Sequence, residues 1–426
     1  GIMTRHPIHA QEGHRHHADP MALFLAQDAI TQFGAGIMLA GCSWYVLDQT
    51  HNNTAVAAAN IANTVSGLLV SILGGSVSDR FSPRAVALWS HVVRTALTVL
   101  PAILLATGGF HLSFAVILMV SNGIGWNLYY PASKALIQRL TDAGTDGRQA
   151  TKANSFAEIS MQVGLFSSGA VAGTLYWAVG FLPVLVISAA TFIVGLLLLA
   201  AVREPGHSNQ EHGKGITASG NFWHTVSDGF RYLGRHPVFI AWCLILYTPF
   251  IIGNLNRTIL PGYVQDTLGA DSVYFGFIQS TWGVGACVAG ITATPICRRF
   301  RTNRIIRAGL AGLLAFGIVL FTVHSIPTAF VMTFVAGFTD AVIRIAIYSY
   351  LMKVIPEGYF GRVISLMNAA NLLIQTSMTQ FSGMAMDRYG SETGYGFVAI
   401  LVGLMILLAI RCPMRNVTTG NISKTA

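Results

Sequence analysis

The chain carries twelve apolar stretches, each close to the length that a helix needs to cross a bilayer. A hydrocarbon core about 30 Å thick takes roughly 20 residues of α-helix. With 53% hydrophobic and 10% charged residues, the composition also lies outside the range of ordinary soluble domains. The sequence therefore predicts an all-α integral membrane protein. The twelve predicted transmembrane helices lie at about 22–47, 55–77, 86–107, 112–131, 153–176, 181–201, 238–260, 273–295, 305–324, 328–351, 363–385 and 394–411.

The longest polar interval between these helices, at 203–236, divides them into six and six. A short repeat supports the division, because Gly147-Arg148 recurs as Gly361-Arg362 at an offset of 214 residues. Parallel repeats of this kind build large secondary transporters, which hold substrate between their halves near the middle of the membrane. We therefore expect two pseudo-symmetric six-helix bundles. The predicted regions are a histidine-rich tail at 1–21, a bundle at 22–202, a linker at 203–236, a bundle at 237–412 and a tail at 413–426.

The net charge of +9, from 26 Lys and Arg against 17 Asp and Glu, would suggest nucleic acid as a partner in a soluble protein. Here the cations concentrate in alternate loops. The opposite loops hold Asp266, Asp271 and a single cation, Arg388. Positive loops stay in the cytoplasm, so both termini are expected there. The charge orients the chain in the bilayer, and no nucleic-acid partner is expected.

Neither the cysteines nor the histidines form a metal-binding pattern. The five cysteines lie in or beside apolar stretches without a C-x-x-C pair, so we expect neither a disulfide nor a zinc site. The first residues are polar and hold the run His14-Arg15-His16-His17. This run could bind a transition metal, but it has no defined ligand geometry and is equally consistent with a solvated leader. We read this segment as a cytoplasmic tail, not a cleavable signal peptide, and we assign no metal to it.

The loop after the second predicted helix reads Gly75-x-x-x-Asp79-Arg80-x-x-x-Arg84. This string resembles the signature of the major facilitator superfamily. A carboxylate beside arginines at a helix end can form a latch that closes in one conformation and opens in another. The alternative is a plain cytoplasmic anchor. The shorter string G-x-x-x-D-R recurs at 383–388, where the predicted topology places it outside.

Further stretches resemble the bacterial subgroup that contains the enterobactin exporter and the macrolide efflux pumps. This resemblance implies the twelve-helix major facilitator fold, alternating access, an inner-membrane location and export of an amphipathic small molecule. It also implies a monomer driven by the proton gradient without a cofactor. One departure concerns direction, since Gly169 stands where exporters often carry a proline. The stretches are Tyr130-Pro131-Ala132, Gly229 to Leu233, His236-Pro237, Leu260-Pro261, Leu268-Gly269 and Gly361-Arg362-Val363.

Charged residues inside membrane crossings are costly, so each suggests a function. Asp28 has no cation within four positions, which favours a proton carrier unless it lies at the inner surface. Asp340 and Arg344 are four residues apart on one helix face and can pair. The pair could be structural and hold its helix to a neighbour, or protonation of Asp340 could free Arg344 to bind an anionic substrate. Glu158 is a third coupling candidate, with an interfacial position as the alternative.

Arg94 lies about ten residues into the third predicted helix, where we favour a structural or gating role and keep substrate binding open. Arg257 lies among Pro249, Gly253 and Pro261, which should interrupt the seventh predicted helix. Broken helices at membrane depth point to substrate sites, whereas the alternative for Arg257 is snorkelling to the outer surface. Together with polar aromatic and amide residues, the substrate-binding candidates are Arg257, Arg344, Arg94, Asn254, Tyr247, Trp282, Tyr348, Asn368, Asn371, Gln375, Trp126 and Tyr129.

These features predict a proton-coupled exporter of a small amphipathic or anionic metabolite such as a siderophore, because arginines in the crossings can neutralise carboxylates. The alternative is a multidrug or macrolide efflux pump, for which unpaired acids would be expected. A membrane-embedded enzyme would need a catalytic constellation. His91, His111 and His324 are scattered without partners nearby in the sequence, so we expect no enzyme.

Overall fold

The computed structural model describes residues 19–78, 81–109, 111–141, 147–204, 222–354 and 357–414. All regular structure in these ranges is helical, which confirms the predicted all-α class. The helices are α1 (Pro20–Thr50), α2 (Asn53–Ser78), α3 (Pro83–Gly108), α4 (Leu112–Thr141), α5 (Gly147–Val179), α6 (Phe181–Ala201), α7 (Phe222–Arg235), α8 (Pro237–Gly262), α9 (Ser272–Arg299), α10 (Thr302–Thr322), α11 (Ile326–Val354), α12 (Glu357–Tyr389) and α13 (Thr393–Arg411).

Nine helices in the described part of the chain are long and apolar enough to cross a membrane. The other long helices, α5, α9 and α12, have 33, 28 and 33 residues and are richer in small and polar side chains. The number of twelve crossings therefore stays a prediction. The short helix α7 lies within the predicted linker, and it packs on α8 and α12.

The helices of the two halves pack in the same pairs. In the first half α1 packs on α5 and α6, and the other pairs are α2–α4, α3–α4 and α3–α6. In the second half α8 packs on α12 and α13, and the other pairs are α9–α11, α10–α11 and α10–α13. Each pair has its equivalent six transmembrane helices later. The halves meet along two seams, α2 with α12 and α5 with α9. Because α2 corresponds to α9 and α5 to α12, the two seams are equivalent positions in the fold.

The seams are tight at one end of the molecule. The far end is the end that holds the connections α1–α2, α5–α6 and α8–α9. The terminal end is the opposite end, which holds the start of α1 and the end of α13. Helix α1 is exposed at Ala22 and Ala26, near the terminal end, whereas 40–47 is buried throughout. Where the structure describes both partners, the hydrogen bonds between halves lie toward the far end, as in Asn60 Nδ2 to Thr258 Oγ1 at 2.9 Å. Among the described residues, the closest contact between the halves therefore lies toward the far end.

Close backbone approach builds the α5–α9 seam. A Cβ on Gly173 would overlap the carbonyl oxygen of Ser272 and lie 3.0 Å from Cα of Gly276. Ser272 Oγ donates to the carbonyl of Gly173 at 2.9 Å, and the amide of Ala170 donates to Ser280 Oγ at 2.9 Å. Small residues permit such packing between membrane helices. This need for small residues explains why these two helices are less apolar than their neighbours.

The expected interruption of the seventh predicted helix is wrong. Helix α8 runs unbroken through Pro249 and Gly253 to Gly262, and a π-helical turn (Tyr263–Thr267) follows Pro261. Helices of both halves pack around α8 and bury most of it. Each proline removes one backbone hydrogen bond, so we attribute the continuity of α8 to the packing of helices around it. The wider π-helical turn follows directly after the second proline.

Candidate functional site

One face of α8 is left partly open by the helices that pack around it. From Ile245 to Val264 every residue is buried except Phe250, Gly253, Asn254 and Arg257. These four follow i, i+3, i+4, i+7 spacing and therefore share one helix face. Arg257 is the most exposed of them. Because neighbouring helices pack on both sides of α8, we expect its guanidinium to lie in the aqueous space between the halves.

Side chains of three other helices contact this face. Asn254 Nδ2 donates to Thr379 Oγ1 of α12 at 3.1 Å. Trp282 Cζ2 of α9 lies 3.8 Å from the position that a Cβ on Gly253 would take. The guanidinium carbon of Arg344 in α11 lies 5.3 Å from the ring centroid of Phe250, within cation–π range. The face thus combines aromatic surface with two arginines.

Arg344 is held by the acid predicted to pair with it. Its Nε donates to Asp340 Oδ2 at 3.0 Å, and its Nη2 lies 2.9 Å from the same oxygen. The Asp340 side chain is 6% exposed and that of Arg344 is 30% exposed. The pair therefore has a buried acid and an accessible base. Breaking such a pair would leave a carboxylate uncompensated among apolar neighbours.

The other predicted substrate residues differ in their placement. Asn371 and Gln375 are buried on α12, and Asn371 Oδ1 has no hydrogen-bond partner among the described residues. Tyr247 and Tyr129 are also buried, so neither lines the open space. Trp126 is partly exposed and packs on Tyr130, with ring centroids 5.0 Å apart. The side chains of Tyr348, Asn368 and Glu158 lie outside the described part of the structure.

A chain of hydrogen bonds joins α1, α3 and α4 inside the first half. His91 Nε2 lies 2.9 Å from Gln27 Oε1, Gln27 Nε2 donates to Tyr129 Oη at 2.8 Å, and Tyr129 Oη donates to Asp28 Oδ1 at 2.6 Å. All four residues are buried, with Asp28 the most exposed at 5%. We name this set the α1–α3–α4 chain. Asp28 therefore does not lie at the solvated inner surface.

Arg94 lies beside this chain without an acceptor. It is 1% exposed, and none of its three guanidinium nitrogens has a hydrogen-bond partner among the described residues. The guanidinium carbon lies 5.7 Å from the ring centroid of Tyr129 and 5.5 Å from that of Phe192. Gly125 makes room for it, because a Cβ there would overlap the arginine side chain. Asp28 is close enough to interact with Arg94 electrostatically.

Sequence reasoning missed Gln27 and His91 as members of this site. Gln27 is the direct neighbour of Asp28, and His91 stands three residues before Arg94, on the same face of α3. A search for polar residues beside or one turn away from the intramembrane charges would have found both. The partner across helices, Tyr129, follows only from the fold.

The latch predicted after the second helix is described in part. Arg84 donates from Nε to the carbonyl of Val202 at 2.8 Å and from Nη2 to that of Ala200 at 2.6 Å. It therefore satisfies backbone carbonyls at the C-terminal end of α6. Asp79 and Arg80 lie outside the described residues, as do residues 1–18 of the histidine-rich tail. Gly75 lies in a stretch of α2 whose surroundings are not described.

The second copy of the G-x-x-x-D-R string closes the far end. Asp387 accepts the backbone amides of Asn53 and Thr54 at 2.8 and 2.9 Å and the Thr54 hydroxyl at 2.6 Å. Gly383 faces the same turn, where a Cβ would lie 3.2 Å from the carbonyl oxygen of Asn53. A carboxylate at a helix N-terminus compensates its unpaired amides. Here that carboxylate comes from the other half.

Comparisons with known proteins agree with this architecture. A family model described as Major Facilitator Superfamily matches residues 28–374 and, in an overlapping match, 250–421. The uncharacterized MFS-type transporter YkuC of Bacillus subtilis (strain 168) is 21% identical over 404 residues, which cover 91% of each chain. The multidrug efflux pump Tap of Mycobacterium tuberculosis (strain ATCC 25618 / H37Rv) is 20% identical over 412 residues, covering 92% of this chain and 93% of Tap.

A solved structure shows the same fold. A mutant of the nucleoside transporter NupG superposes with a TM-score of 0.74 and covers 92% of this chain and 100% of its own. The sequence identity is 14%, so the likeness concerns the fold alone.

Proposed function

The chain belongs to the Major Facilitator Superfamily, and from this membership we propose that it exports a small anionic or amphipathic metabolite, such as a siderophore, in exchange for protons. Membership makes the chain a membrane transporter and not an enzyme. The direction, the substrate class and the proton coupling are the proposal. We also propose that the protein lies in the bacterial inner membrane with both termini in the cytoplasm, because cationic loops are retained on that side. The terminal end is then the cytoplasmic end.

The observation that carries the substrate class is the exposed Arg257 on the open face of α8. Arg344 adds a second guanidinium that is partly exposed. Asp28 and Asp340, the two predicted coupling acids with described side chains, are both buried and hydrogen-bonded. The wall of the cavity therefore presents positive charge without an accessible acid among these groups. Carboxylate and catecholate oxygens are the natural ligands for guanidinium groups in such a site.

Multidrug efflux is the second candidate, since the relative Tap is a multidrug efflux pump. The aromatic surface of Phe250 and Trp282 suits apolar drugs as well as it suits aromatic acids. The two candidates differ in charge preference. A lipophilic cation would meet Arg257 with like charge, whereas a polycarboxylate would pair with it.

We expect everted membrane vesicles that contain the protein to accumulate a tris-catecholate or polycarboxylate siderophore when respiration supplies a proton gradient. A protonophore should collapse the accumulation, because the uphill step draws on that gradient. The measurement is uptake of radiolabelled siderophore, with a lipophilic cationic dye as the competing probe. Uptake that persists after the gradient is dissipated would exclude proton coupling, and uptake of the dye alone would favour the multidrug alternative.

Alternating access also requires the far end to open, and this step should depend on Asp387. Asp387→Asn keeps the shape but removes the charge that stabilises the start of α2. We expect the closed far end to lose about 1–2 kcal/mol, which is a factor of about 5–30 in population. Spin labels at Thr107 and Thr322, exposed at the far ends of α3 and α10, would report a larger separation.

The matched control for this variant is Asp271→Asn. Asp271 also accepts backbone amides at a helix start, those of Val273 and Tyr274 at 3.1 and 3.3 Å, but within one half. The control should leave the distance between the two labels unchanged. Equal distance distributions in Asp387→Asn and the parent protein would show that Asp387 does not hold the far end closed.

A further inference from the structure

We propose that His91, Gln27 and Tyr129 are positioning residues that orient the carboxylate of Asp28 and set the pH at which it takes a proton. The inference rests on the proposed proton coupling, and it assigns a role to groups that this coupling does not otherwise use. The α1–α3–α4 chain links helices that are neighbours in the fold and far apart in the sequence. Its residues are buried, so water does not compete for these bonds.

The donors of the chain all point toward Asp28. The carbonyl oxygen of Gln27 can only accept, so its contact at 2.9 Å requires the hydrogen of His91 to sit on Nε2. The amide nitrogen of Gln27 then donates to Tyr129 Oη. The single hydroxyl hydrogen of Tyr129 is left for Asp28 Oδ1, at 2.6 Å. A chain that ends on a carboxylate polarises every link in the same direction and stabilises the ionised acid.

Charged and titratable groups around Asp28 act in the same sense. Arg94 and His91 face it from α3, and Tyr129 and Lys134 face it from α4. Gln32 is a second hydrogen-bonding neighbour on α1 itself. Helix α6 contains no titratable residue, and the side chains of Lys152 and Glu158 in α5 lie outside the described part of the structure. These charged and polar groups are therefore cationic or hydrogen-donating, and they act against the burial of the carboxylate.

If the α1–α3–α4 chain sets the protonation of Asp28, substitutions along it should shift that protonation in a graded way, which a role in stability alone would not produce. The link that touches the acid should matter most, and a distant link should matter less in the same direction. Tyr129→Phe removes the bond to the carboxylate, so we expect the protonation midpoint of Asp28 to move to higher pH by about one to two units. His91→Leu should move it the same way by a smaller amount. His91→Gln, whose amide can still donate to Gln27, should restore the parent value.

The test uses the full chain in lipid nanodiscs and pH-difference infrared spectra, in which the C=O stretch of a protonated carboxylic acid is resolved. The band that is lost in Asp28→Asn belongs to Asp28, and its growth as pH falls gives the midpoint. Tyr395→Phe is the matched control, because Tyr395 is also fully buried and donates a hydroxyl hydrogen to Asn256 Oδ1 at 2.9 Å. It should lower thermal stability as Tyr129→Phe does and leave the midpoint unchanged.

The proposal is overturned if Tyr129→Phe and Tyr395→Phe show the parent midpoint alike, or if Asp28→Asn removes no band. It is also overturned if ¹⁵N spectra of labelled histidine place the hydrogen of neutral His91 on Nδ1. None of these measurements requires transport. A shifted midpoint together with transport that ignores a protonophore would therefore reject the proposed coupling and leave the chain standing. Proton-driven transport together with an unchanged midpoint in Tyr129→Phe would support the proposed coupling and reject the positioning role of the α1–α3–α4 chain.

Discussion

Replacing Gly276 by leucine should strongly reduce transport, because it makes closure of the two halves at the far end less favourable. A Cβ on Gly276 would overlap the carbonyl oxygen of Gly169 and lie 3.1 Å from Cα of Gly173. Both obstacles are backbone and cannot rotate away. Overpacking a tight contact costs about 1–3 kcal/mol, which would lower the population of the closed far end by about 5–150-fold.

Vesicle uptake and the distance between labels at Thr107 and Thr322 would measure this effect. The matched control is Gly290→Leu on the same helix, where a Cβ would meet nothing within 4 Å. The control should transport normally. Gly276→Ala supplies a milder step, so that a graded loss can be told from failure to fold. Full transport by Gly276→Leu would mean that the seam is not needed in the transport cycle.

Arg257→Gln should weaken the binding of an anionic substrate by about 10-fold to 100-fold. The side chain stays polar but is shorter and loses its charge, and a hydrogen bond to a charged group contributes about 1.5–3 kcal/mol. A tris-catecholate and a polycarboxylate should both be affected, because both present anionic oxygens. Binding of a lipophilic cation should hold or improve, since like charge is removed from the wall of the cavity.

Titration calorimetry of the purified protein with each probe would measure these affinities. Arg304→Gln is the control, because Arg304 is exposed at the start of α10 and away from the open face of α8. Arg257→Lys should retain part of the affinity, as a point charge replaces a planar fork. Unchanged affinity of Arg257→Gln for both anionic probes would remove Arg257 from the binding site and leave the substrate class without its main support.

The features that sequence predicted best are those that depend on local spacing or composition. Apolar segments of bilayer length gave the all-α membrane class, and the four-residue separation of Asp340 and Arg344 gave their ion pair. Charge at membrane depth made Arg257 a candidate, and its role in substrate binding stays a prediction, whereas the break predicted in its helix is wrong. Packing of α8 against both halves keeps the helix continuous through Pro249, and no local pattern reports that packing.

The α1–α3–α4 chain could not be predicted in the same way. Gln27 and Tyr129 are 102 residues apart, and Gln27 and His91 are 64 apart. Each looks ordinary in its own helix. Tyr129 resembled a cavity-lining aromatic, yet it is fully buried and bonds to Asp28. The order in which helices surround α1 decides which polar residues meet, and that order depends on long-range packing.

The two seams between the halves are equivalent in the fold but not in their chemistry. The α2–α12 seam holds a carboxyl side chain, that of Asp387, whose hydrogen bonds can be exchanged for water one at a time. The α5–α9 seam holds glycines in backbone contact, tied by serine hydroxyls such as that of Ser272. When the far end opens, the α2–α12 seam would separate and the α5–α9 seam would act as the hinge. The two halves would then rotate about an axis along the α5–α9 seam, because its glycines stay in contact while the hydrogen bonds of Asp387 in the α2–α12 seam break.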